Sequence, residues 1–422
     1  MKPVPRRSHK TLFISRDGKA QPYLESLFIP ILAGLDRPVA RSTILEFCPA
    51  GACRESKELA DKHGIPLHLR RYHGSLLGGM FDACRAFFVI ERLVRKDLIT
   101  VLHARSYIPG ISALFVKLVH PSVRIVFDSD GLMPDEQKER RGWGDRHIVY
   151  RGFRWIERRL ISAADAVVVR TFQAKKILRA RNPNAASGEK YHVISNGKDT
   201  SVFRLRSEEE RREVRRRLGI DEGAFLVLYA GSIGPNYLPH EMFRFFAELR
   251  SIIPDAHFLV VTTEAREQLL RTAAYAQVPE KLVTISSLPH AEMPPVIASA
   301  DLGLSFRKSG LSRRAVCPLK VAEYLLCGVP VVTNEGVGDL DRIFSRDTSS
   351  KEVPIGCVLS QFSAEEIKET AHAVKDMLST QRLEVRARAR CVGVHEFDIR
   401  DTVKGYVAAY QSLPALSSRK SQ

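Results

Sequence analysis

The sequence predicts an α/β protein built from two successive domains, each with a parallel sheet. Short runs of apolar and β-branched residues alternate with amphipathic helical stretches, which is typical of parallel sheets. The alternation reaches the turn dipeptide Asn196-Gly197 and then begins again. With 422 residues, two Rossmann-like halves explain the pattern better than a single sheet of about a dozen strands.

The first domain is expected over residues 1–199. Its first strand, at 11–15, leads into Asp17-Gly18 and then into a helix at about 23–35. Further strands with the same apolar, β-branched composition are expected at 44–47, 67–69, 99–103, 123–127, 166–169 and 191–194.

The second domain is expected over residues 200–385, followed by a segment of C-terminal helices, 386–422, that ends in a short flexible tail. A charged helix at about 206–218 opens this half, and helices at about 364–378 and 401–412 close it. Its strands are expected at 225–230, 256–261, 283–285, 302–305 and 329–333.

Positive charge is concentrated in the first half of the chain. Residues 1–199 hold 35 Lys and Arg against 20 Asp and Glu, a net charge of +15, whereas residues 200–422 hold 30 against 28, a net charge of +2. Four arginines, at 151, 154, 158 and 159, recur at near-helical spacing. An anionic membrane surface, nucleic acid or an ordinary solvated face can each explain this charge. Nucleic acid is the weakest of the three, because no RNA-binding signature accompanies the basic residues.

The cysteines and the hydropathy favour a cytoplasmic protein. The seven cysteines are an odd number and none forms a CxxC pair, so neither a disulfide framework nor a zinc site is expected. The basic N-terminus lacks a following apolar stretch of signal-peptide length. No window approaches the length of an uncharged membrane-spanning helix.

The segment 318–332 predicts a short helix that ends at a glycine and leads into a buried strand. Pro318 suits the first turn, and Gly328 suits the left-handed position after the last turn. Lys320 and Glu323 are three residues apart, so both project from one face. Together with the N–H groups of the first turn, they suit a nucleotide diphosphate and its ribose. The alternative is a surface ion pair on an ordinary helix.

Four loops follow predicted strands, where parallel sheets bind ligands. Gly18 and the glycine-bearing loop 231–234 would let the backbone approach a ligand closely. Asp128 and its neighbour Asp130 could act as a base or an orienting group, or could cap a turn. Arg105 could hold a phosphate with two hydrogen bonds.

The ordered set of motifs resembles glycosyltransferase family 4-like enzymes with the glycosyltransferase-B fold, over roughly residues 10–412. The segment 318–332 is similar to their P-x-K-x-x-E-y-x-a-x-G-x-P-V-v signature. The other matching segments are the strand entries 164–169 and 300–305, the interdomain junction 193–203, and the donor-domain strand and loop 229–232.

The resemblance implies retaining transfer of a sugar from a nucleotide-diphosphate sugar to a glycan or lipid-linked acceptor. It implies two Rossmann-like domains whose sheets face each other across a cleft, with the donor held by the C-terminal domain. The segment 386–422 would cross back to the first domain, and Glu323 would bind ribose hydroxyls. No metal or other cofactor is required in this fold, because cations and helix ends can offset the leaving diphosphate. The expected site residues are Asp128, Lys320 and Glu323 as catalytic groups; Gly18, Gly231, Ser232, Leu288, Pro318, Lys320 and Glu323 as donor-binding groups; and Arg105 on the acceptor side.

The chain departs from the family pattern at three places. The first glutamate of the E-x7-E signature is replaced by Ala315, and a histidine common in relatives is replaced by Asp128. The Arg and Lys that usually follow the glycine loop are absent. The cations that could substitute for them are Lys320, Arg307, Arg313 and Arg314.

Three other functions are compatible with parts of the pattern. A nucleotide-sugar epimerase can share the two-domain fold, but the 318–332 signature and the Asn196-Gly197 junction favour transfer. A non-catalytic protein that retains the fold would explain Ala315. A nucleic-acid-binding protein would use the basic charge instead. The transferase interpretation places the protein in the cytoplasm, on the inner face of the membrane where the acceptor is lipid-linked, with a role in polysaccharide biosynthesis.

Overall fold

The structure is a computed structural model that describes residues 9–16, 23–35, 39–48, 54–71, 76–183, 188–348 and 353–414. The chain divides into two compact units. The first contains Met1–Asn196, Arg314–Val316 and Arg400–Gln422, and the second contains Gly197–Arg313 and Cys317–Ile399. Gly18, a predicted donor-binding residue, lies outside the described residues.

A parallel sheet of seven strands forms the centre of the first unit. The strands are β1 His9–Arg16, β2 Ala40–Cys48, β3 Leu67–Arg71, β4 Val101–Arg105, β5 Arg124–Ser129, β6 Ala166–Val169 and β7 Tyr191–Val193. They lie in the order β3-β2-β1-β4-β5-β6-β7, and every neighbouring pair is parallel.

Helices cover both faces of this sheet. A π-helical stretch, Leu24–Phe28, runs directly into the first α-helix. The α-helices are α1 Ile29–Leu35, α2 Arg54–Lys62, α3 Leu76–Asp97, α4 Tyr107–Val119, α5 Met133–Arg141, α6 Ile148–Ala163 and α7 Phe172–Arg181.

A parallel sheet of six strands forms the centre of the second unit, in the order β10-β9-β8-β11-β12-β13. Its strands are β8 Phe225–Ala230, β9 Ala256–Val261, β10 Val283–Ser286, β11 Leu302–Ser305, β12 Val331–Asn334 and β13 Gly356–Leu359. The helices are α8 Glu208–Arg217, α9 Pro239–Ile252, α10 Arg266–Tyr275, α11 Met293–Ala298, α12 Leu319–Leu326, α13 Leu340–Thr348, α14 Ala364–Thr380 and α15 Arg382–Phe397. The last helix, α16 Ile399–Gln411, returns to the first unit from Arg400 onward.

Each strand and each helix predicted from the sequence corresponds to an observed element. Strand β13, helix α15 and most of the helices between the other strands were not assigned from the sequence. β13 begins at Gly356, whose φ of +145° suits only glycine, and a Cβ there would lie 1.9 Å from the Val331 carbonyl oxygen. Because α15 packs on α12, the predicted segment 386–422 is divided between the two units.

The two strand-entry motifs perform the same structural task in both units. The Asp165 carboxylate accepts the Ile125 N–H at 2.8 Å, while the Asp165 N–H donates to the Ile125 carbonyl. The Asp301 carboxylate and N–H make the same two bonds with Leu226, the carboxylate again at 2.8 Å. Each aspartate therefore fixes how a strand begins beside its neighbour, which satisfies backbone groups that burial would otherwise leave unpaired.

Candidate functional site

Three strand ends of the second unit converge at one edge of its sheet. The loop after β8 lies against the segment after β11, where the Lys308 N–H donates to the Asn236 carbonyl at 2.9 Å. The Asn334 side chain, at the end of β12, receives the Arg307 N–H at 2.8 Å and donates back to the Arg307 carbonyl at 3.0 Å. This edge is the carboxyl end of a parallel sheet, where such sheets bind ligands.

Helix α12 begins at this edge and follows the prediction from segment 318–332. Pro318 precedes the helix, and its carbonyl accepts the N–H groups of Val321 and Ala322. Gly328 has a φ of +69°, so the chain leaves the helix through a left-handed residue and enters β12. The predicted helix and its glycine end are therefore confirmed.

Lys320 projects from the first turn of α12 into a pocket of tyrosines. Its ammonium donates to the Tyr229 hydroxyl at 2.8 Å and lies 3.9 Å from the centre of the Tyr237 ring. The Tyr229 hydroxyl in turn donates to the Ser232 carbonyl at 2.6 Å. The backbone of Gly231 passes so close that a Cβ there would lie 3.3 Å from the Lys320 nitrogen. Lys320 and the glycine loop, predicted as donor-binding from separate motifs, are thus brought together.

Burial among these groups lowers the pKa of Lys320 well below its ordinary value. The nearby Arg307 guanidinium lowers the pKa further, whereas Glu323 opposes the shift. A second charge of the same sign and a dense protein environment both disfavour the ammonium. An anion bound at this position would relieve that cost.

Two of the arginines proposed as substitute phosphate ligands lie at the same edge. Arg307 stacks on Tyr237 at 4.8 Å, and Arg313 donates to the Asn236 side chain at 2.8 Å. Arg314, in contrast, is exposed and belongs to the first unit. This edge therefore carries cations although none follows the glycine loop: Lys320 comes from α12, and Arg307 and Arg313 come from the segment between β11 and α12.

Glu323 has a partner that the sequence analysis did not include among the site residues. Its carboxylate pairs with the Lys198 ammonium at 2.9 Å, and the Lys198 side chain is almost fully buried. Lys198 directly follows the Asn196-Gly197 dipeptide of the junction 193–203, and this position in a matching motif is the signal that could have identified it. The alternative prediction was a surface ion pair between Lys320 and Glu323. Instead, the main contact of Lys320 is with Tyr229, and that of Glu323 is with Lys198.

The remaining predicted donor residues lie at the same edge of the sheet. Ser232 follows β8, and Leu288 lies two residues beyond β10, where it packs against the core. The described contacts do not join Leu288 to the Lys320 cluster, because β8 and β10 are separated by β9.

Asp128, predicted as a catalytic residue, is buried in a hydrogen-bonded network of the first unit. Arg170 donates to both of its oxygens at 2.6 Å, and the Tyr406 hydroxyl donates to one of them at 2.7 Å. His103 lies 3.4 Å from the same oxygen and 2.8 Å from the Tyr410 hydroxyl. Burial alone would raise the pKa of Asp128, but Arg170 and these hydrogen bonds hold it far below its ordinary value. The geometry therefore argues against a general base and for a structural carboxylate.

Arg105, predicted on the acceptor side, also has structural partners. It donates to Asp130 at 2.7 Å, and its guanidinium stacks on the Phe28 ring at 4.6 Å and the Tyr23 ring at 5.1 Å. The side chain is buried. Arg105 holds β4 to the neighbouring elements of the first unit, and this geometry does not support the predicted phosphate contact.

Neither a metal-binding cluster nor a membrane-spanning helix is found in the described part of the chain. No group of three or more His, Cys, Asp or Glu residues there has the arrangement needed to hold a metal ion. None of the described helices is both long enough and apolar enough to cross a bilayer.

The chain matches two families in succession. Residues 31–197 match the family described as "Glycosyl transferase 4-like domain", and residues 210–390 match "Glycosyl transferases group 1". A curated D-inositol 3-phosphate glycosyltransferase from Nocardioides sp. is 34% identical over 100 residues, which are 24% of this chain and 20% of that protein. The chain therefore matches only a fifth of the length of this relative.

Solved structures resemble the whole chain at low identity. Anabaena HepE in complex with UDP-glucose is 17% identical with a TM-score of 0.69, covering 96% of this chain and 99% of that one. A candidate UDP-N-acetylglucosamine 2-epimerase from Listeria monocytogenes is 14% identical with a TM-score of 0.55, covering 90% of each chain. At these identities the likeness shows a shared fold, which does not separate transferases from epimerases.

The family matches do separate these classes. Both matched domains belong to glycosyltransferases, they occur in the order seen along this chain, and each falls on one parallel-sheet unit. The chain is therefore a member of the glycosyltransferases that join a 4-like domain to a group 1 domain, with the glycosyltransferase-B fold.

Proposed function

We propose that this protein transfers a sugar, most simply a hexose, from a nucleotide-diphosphate sugar to a glycan or lipid-linked acceptor. One observation carries the proposal: α12 presents Lys320 and Glu323 from one turn, and Lys320 lies directly beside the Gly231 loop. A cation, a carboxylate and an open backbone there match the diphosphate, the ribose and the close approach that a nucleotide sugar needs. HepE, which has the same fold, was crystallised with UDP-glucose, so a uridine donor is the first choice to test.

The donor diphosphate is bound by Lys320 and Arg307. Their positive charges offset the negative charge that develops on the diphosphate as the glycosidic bond breaks. The Glu323 carboxylate, oriented by Lys198, accepts hydrogen bonds from ribose hydroxyls. Leu288 flanks the base, at the carboxyl end of β10. This assignment requires no metal, and chelation is expected to leave activity unchanged.

Transfer with retention of the anomeric configuration follows from the family resemblance. The test is the NMR spectrum of the first product formed, compared with that of the donor. A product of inverted configuration would refute retention without affecting the proposed donor site.

The proposed location is the cytoplasm, in polysaccharide biosynthesis, with the first unit on the inner face of the membrane. Cys84, Cys327, Cys357 and Cys391 carry free thiols, which supports a reducing compartment. The charge of +15 in residues 1–199 supports contact with an anionic surface.

The function is tested by a thermal-shift screen of nucleoside diphosphates and their sugars. A donor that binds only the folded protein raises the unfolding temperature by mass action. We expect Glu323→Gln to lower the affinity for UDP about tenfold, because a hydrogen bond to a charged group is worth roughly 1.5–3 kcal/mol. The matched control is Glu213→Gln, an exposed carboxylate that pairs with Arg216 on α8 of the same unit.

The contact to ribose is separated from general damage by a second nucleotide. Wild-type protein should prefer UDP to 2′,3′-dideoxy-UDP, and Glu323→Gln should lose that preference while remaining folded. If the variant preferred UDP over the dideoxy nucleotide as strongly as wild type does, Glu323 would not bind the ribose hydroxyls. If no nucleotide or nucleotide sugar stabilises the protein, the proposed function is wrong and the chain is a non-catalytic member of the fold.

Lys320 is tested in the same way against phosphate. Lys320→Ala should lower the affinity for UDP much more than the affinity for uridine, because only UDP carries the diphosphate. An equal loss for the two ligands would place Lys320 away from the phosphates. An epimerase would instead convert the donor sugar without an acceptor, which NMR of the donor alone detects.

A further inference from the structure

Three helices lie side by side on one face of the first unit. α4 packs against α3 on one side and α6 on the other. The inner faces of all three contribute to a single apolar core, through residues such as Ile90, Val116 and Leu160. Their outer faces therefore form one continuous surface, which we call the α3-α4-α6 face.

Large apolar side chains stand exposed along this face. Phe88 on α3 is 70% exposed, Leu118 on α4 is 76% exposed, and Ile148 on α6 is 82% exposed. Trp155, two turns further along α6, is 55% exposed. So many large apolar side chains exposed on three neighbouring helices exceed the singly scattered apolar residues of an ordinary surface and indicate a binding surface. The other exposed apolar residues of the three helices are Phe81, Phe115 and Val119.

The charges between these apolar groups are almost all positive. The four acidic residues of the three helices are buried or half-buried: Glu157 is buried and bound to Arg154, and Glu91 pairs with Arg95. Arg154 is thereby held toward the protein, so it does not share an exposed face with Arg151, Arg158 and Arg159. Seven cations remain exposed: Arg85, Arg92, Arg95, Lys96, Arg151, Arg158 and Arg159.

We propose that the α3-α4-α6 face docks on an anionic lipid bilayer, with Ile148, Trp155 and Leu118 entering the interface between headgroups and acyl chains. Helices that lie in this interface combine an apolar stripe with flanking Lys and Arg. Trp sits at the boundary because its ring is amphipathic. Arg159 stacks on Trp155 at 5.3 Å, so one pair combines the apolar and the cationic contact.

A neighbouring depression repeats the same composition. Helix α7 contributes Ala174 and Leu178 to the same core, so it belongs to the same helical layer. It carries the half-exposed Phe172 beside Lys175, Lys176 and Arg179, which line a depression of about 510 Å³. Cations around an exposed aromatic ring again suit anionic headgroups.

Two other occupants fit the face less well. A two-fold contact with a second copy would place the same patch against itself and would bring exposed arginines together. A single-stranded nucleic acid could stack its bases on the exposed rings of this face, but it would leave the aliphatic Leu118, Val119 and Ile148 without an apolar partner. An anionic bilayer satisfies both the charge and the aliphatic groups.

The inference extends the proposed function, because a protein docked in this way meets a lipid-linked acceptor rather than a soluble one. The docking itself does not depend on the donor site. Vesicle binding is therefore measured without donor, and UDP stabilisation is measured without vesicles. Loss of one with the other intact identifies which proposal is wrong.

The probe is the full chain with Trp143→Phe, which leaves Trp155 as the single tryptophan. It is mixed with vesicles of phosphatidylcholine alone or with phosphatidylglycerol, at low and high salt. We expect co-sedimentation with the anionic vesicles, a blue shift of Trp155 emission, and quenching by lipids labelled near the headgroup. Added salt should weaken the binding without abolishing the blue shift at high lipid concentration.

Matched variants locate the contact. Leu118→Ser should lower partitioning roughly tenfold. Arg158→Ala should lower it about fivefold, from about 1 kcal/mol per cation near the surface. Leu383→Ser is the control, since Leu383 is equally exposed but lies on α15 of the second unit. Denaturant unfolding of each variant, compared with that of wild type, shows that it is folded.

Three results would overturn the proposal. The first is absence of binding to anionic vesicles, and the second is binding without a Trp155 shift. The third is an equal effect of Leu118→Ser and Leu383→Ser. Self-association that Leu118→Ser abolishes, or binding of single-stranded RNA with no binding to vesicles, would assign the face to another partner.

Discussion

Lys320 shows how one side chain can combine two contacts that the sequence leaves separate. Its ammonium binds the Tyr229 hydroxyl beside the Gly231 loop, in surroundings that lower its pKa. At pH values between this lowered pKa and the ordinary value near 10.5, Lys320 of the ligand-free protein is less protonated than an exposed lysine would be. A bound diphosphate favours the charged form and raises the pKa again.

We therefore predict that UDP binding takes up a proton in this pH range, and that affinity falls as the pH rises. Calorimetry in two buffers with different heats of ionisation measures the uptake directly. Lys320→Met should remove this component. The same proton uptake in Lys320→Met would show that another group titrates.

The Lys198–Glu323 pair leads to a second prediction at this scale. Lys198→Met should lower the affinity for UDP roughly tenfold, because Glu323 loses the positive charge that orients its carboxylate. The same variant should bind 2′,3′-dideoxy-UDP as wild type does, since that ligand lacks the ribose hydroxyls. Equal losses for both nucleotides would mean that Lys198 supports the fold of the edge rather than the ribose contact.

At the scale of elements, α16 is fixed to the first unit by two tyrosine hydroxyls. Tyr406 donates to Asp128 and accepts from Arg170 at 2.9 Å, while Tyr410 bonds His103. Tyr406→Phe should lower the free energy of unfolding by roughly 1–3 kcal/mol, because a buried ion pair loses a hydrogen bond. Denaturant unfolding measures the loss, and UDP affinity, which depends on the other unit, should be unchanged.

The same network predicts acid sensitivity. The folded pKa of Asp128 is far below its unfolded value near 3.8, so its contribution to stability is complete above that value and is lost as the pH falls toward the folded pKa. Unfolding free energies measured from neutral pH to below about pH 4 should therefore fall less steeply in Asp128→Asn than in wild type. Asp128→Asn should also be less stable at neutral pH by roughly 3–5 kcal/mol, because Arg170 loses its partner. Parallel pH profiles would contradict the assignment.

At the scale of the whole molecule, each unit has its own sheet and core, and the proposed donor contacts all lie in the second. Hydrogen exchange should therefore show UDP-dependent protection around the loop 231–238 and the start of α12. The Asp128 network should exchange at the same rate with and without UDP. Protection confined to the first unit would place the nucleotide elsewhere.

Sequence patterns predicted the elements well because parallel strands buried on both faces form apolar runs that are visible without a structure. The β8 run 225–230 is such a case, and its predicted and observed bounds coincide. The patterns did not identify β13, because it is a short strand that begins at a glycine. They did not identify α15 either, because its many arginines interrupt the apolar periodicity of its buried face.

The sequence by itself determined the fold class, the two α/β halves, the helix at 319–326 with its glycine end, and the proximity of Lys320 to Glu323 along one turn. Those features are local, and they follow from periodicity and from residues with restricted backbone angles. Only the tertiary structure decided three contacts. Lys198 forms an ion pair with Glu323, Arg307 lies near Lys320, and Arg170 forms a buried ion pair with Asp128. Such contacts join residues far apart in the chain, and local patterns carry no information about which distant side chain will satisfy a buried charge.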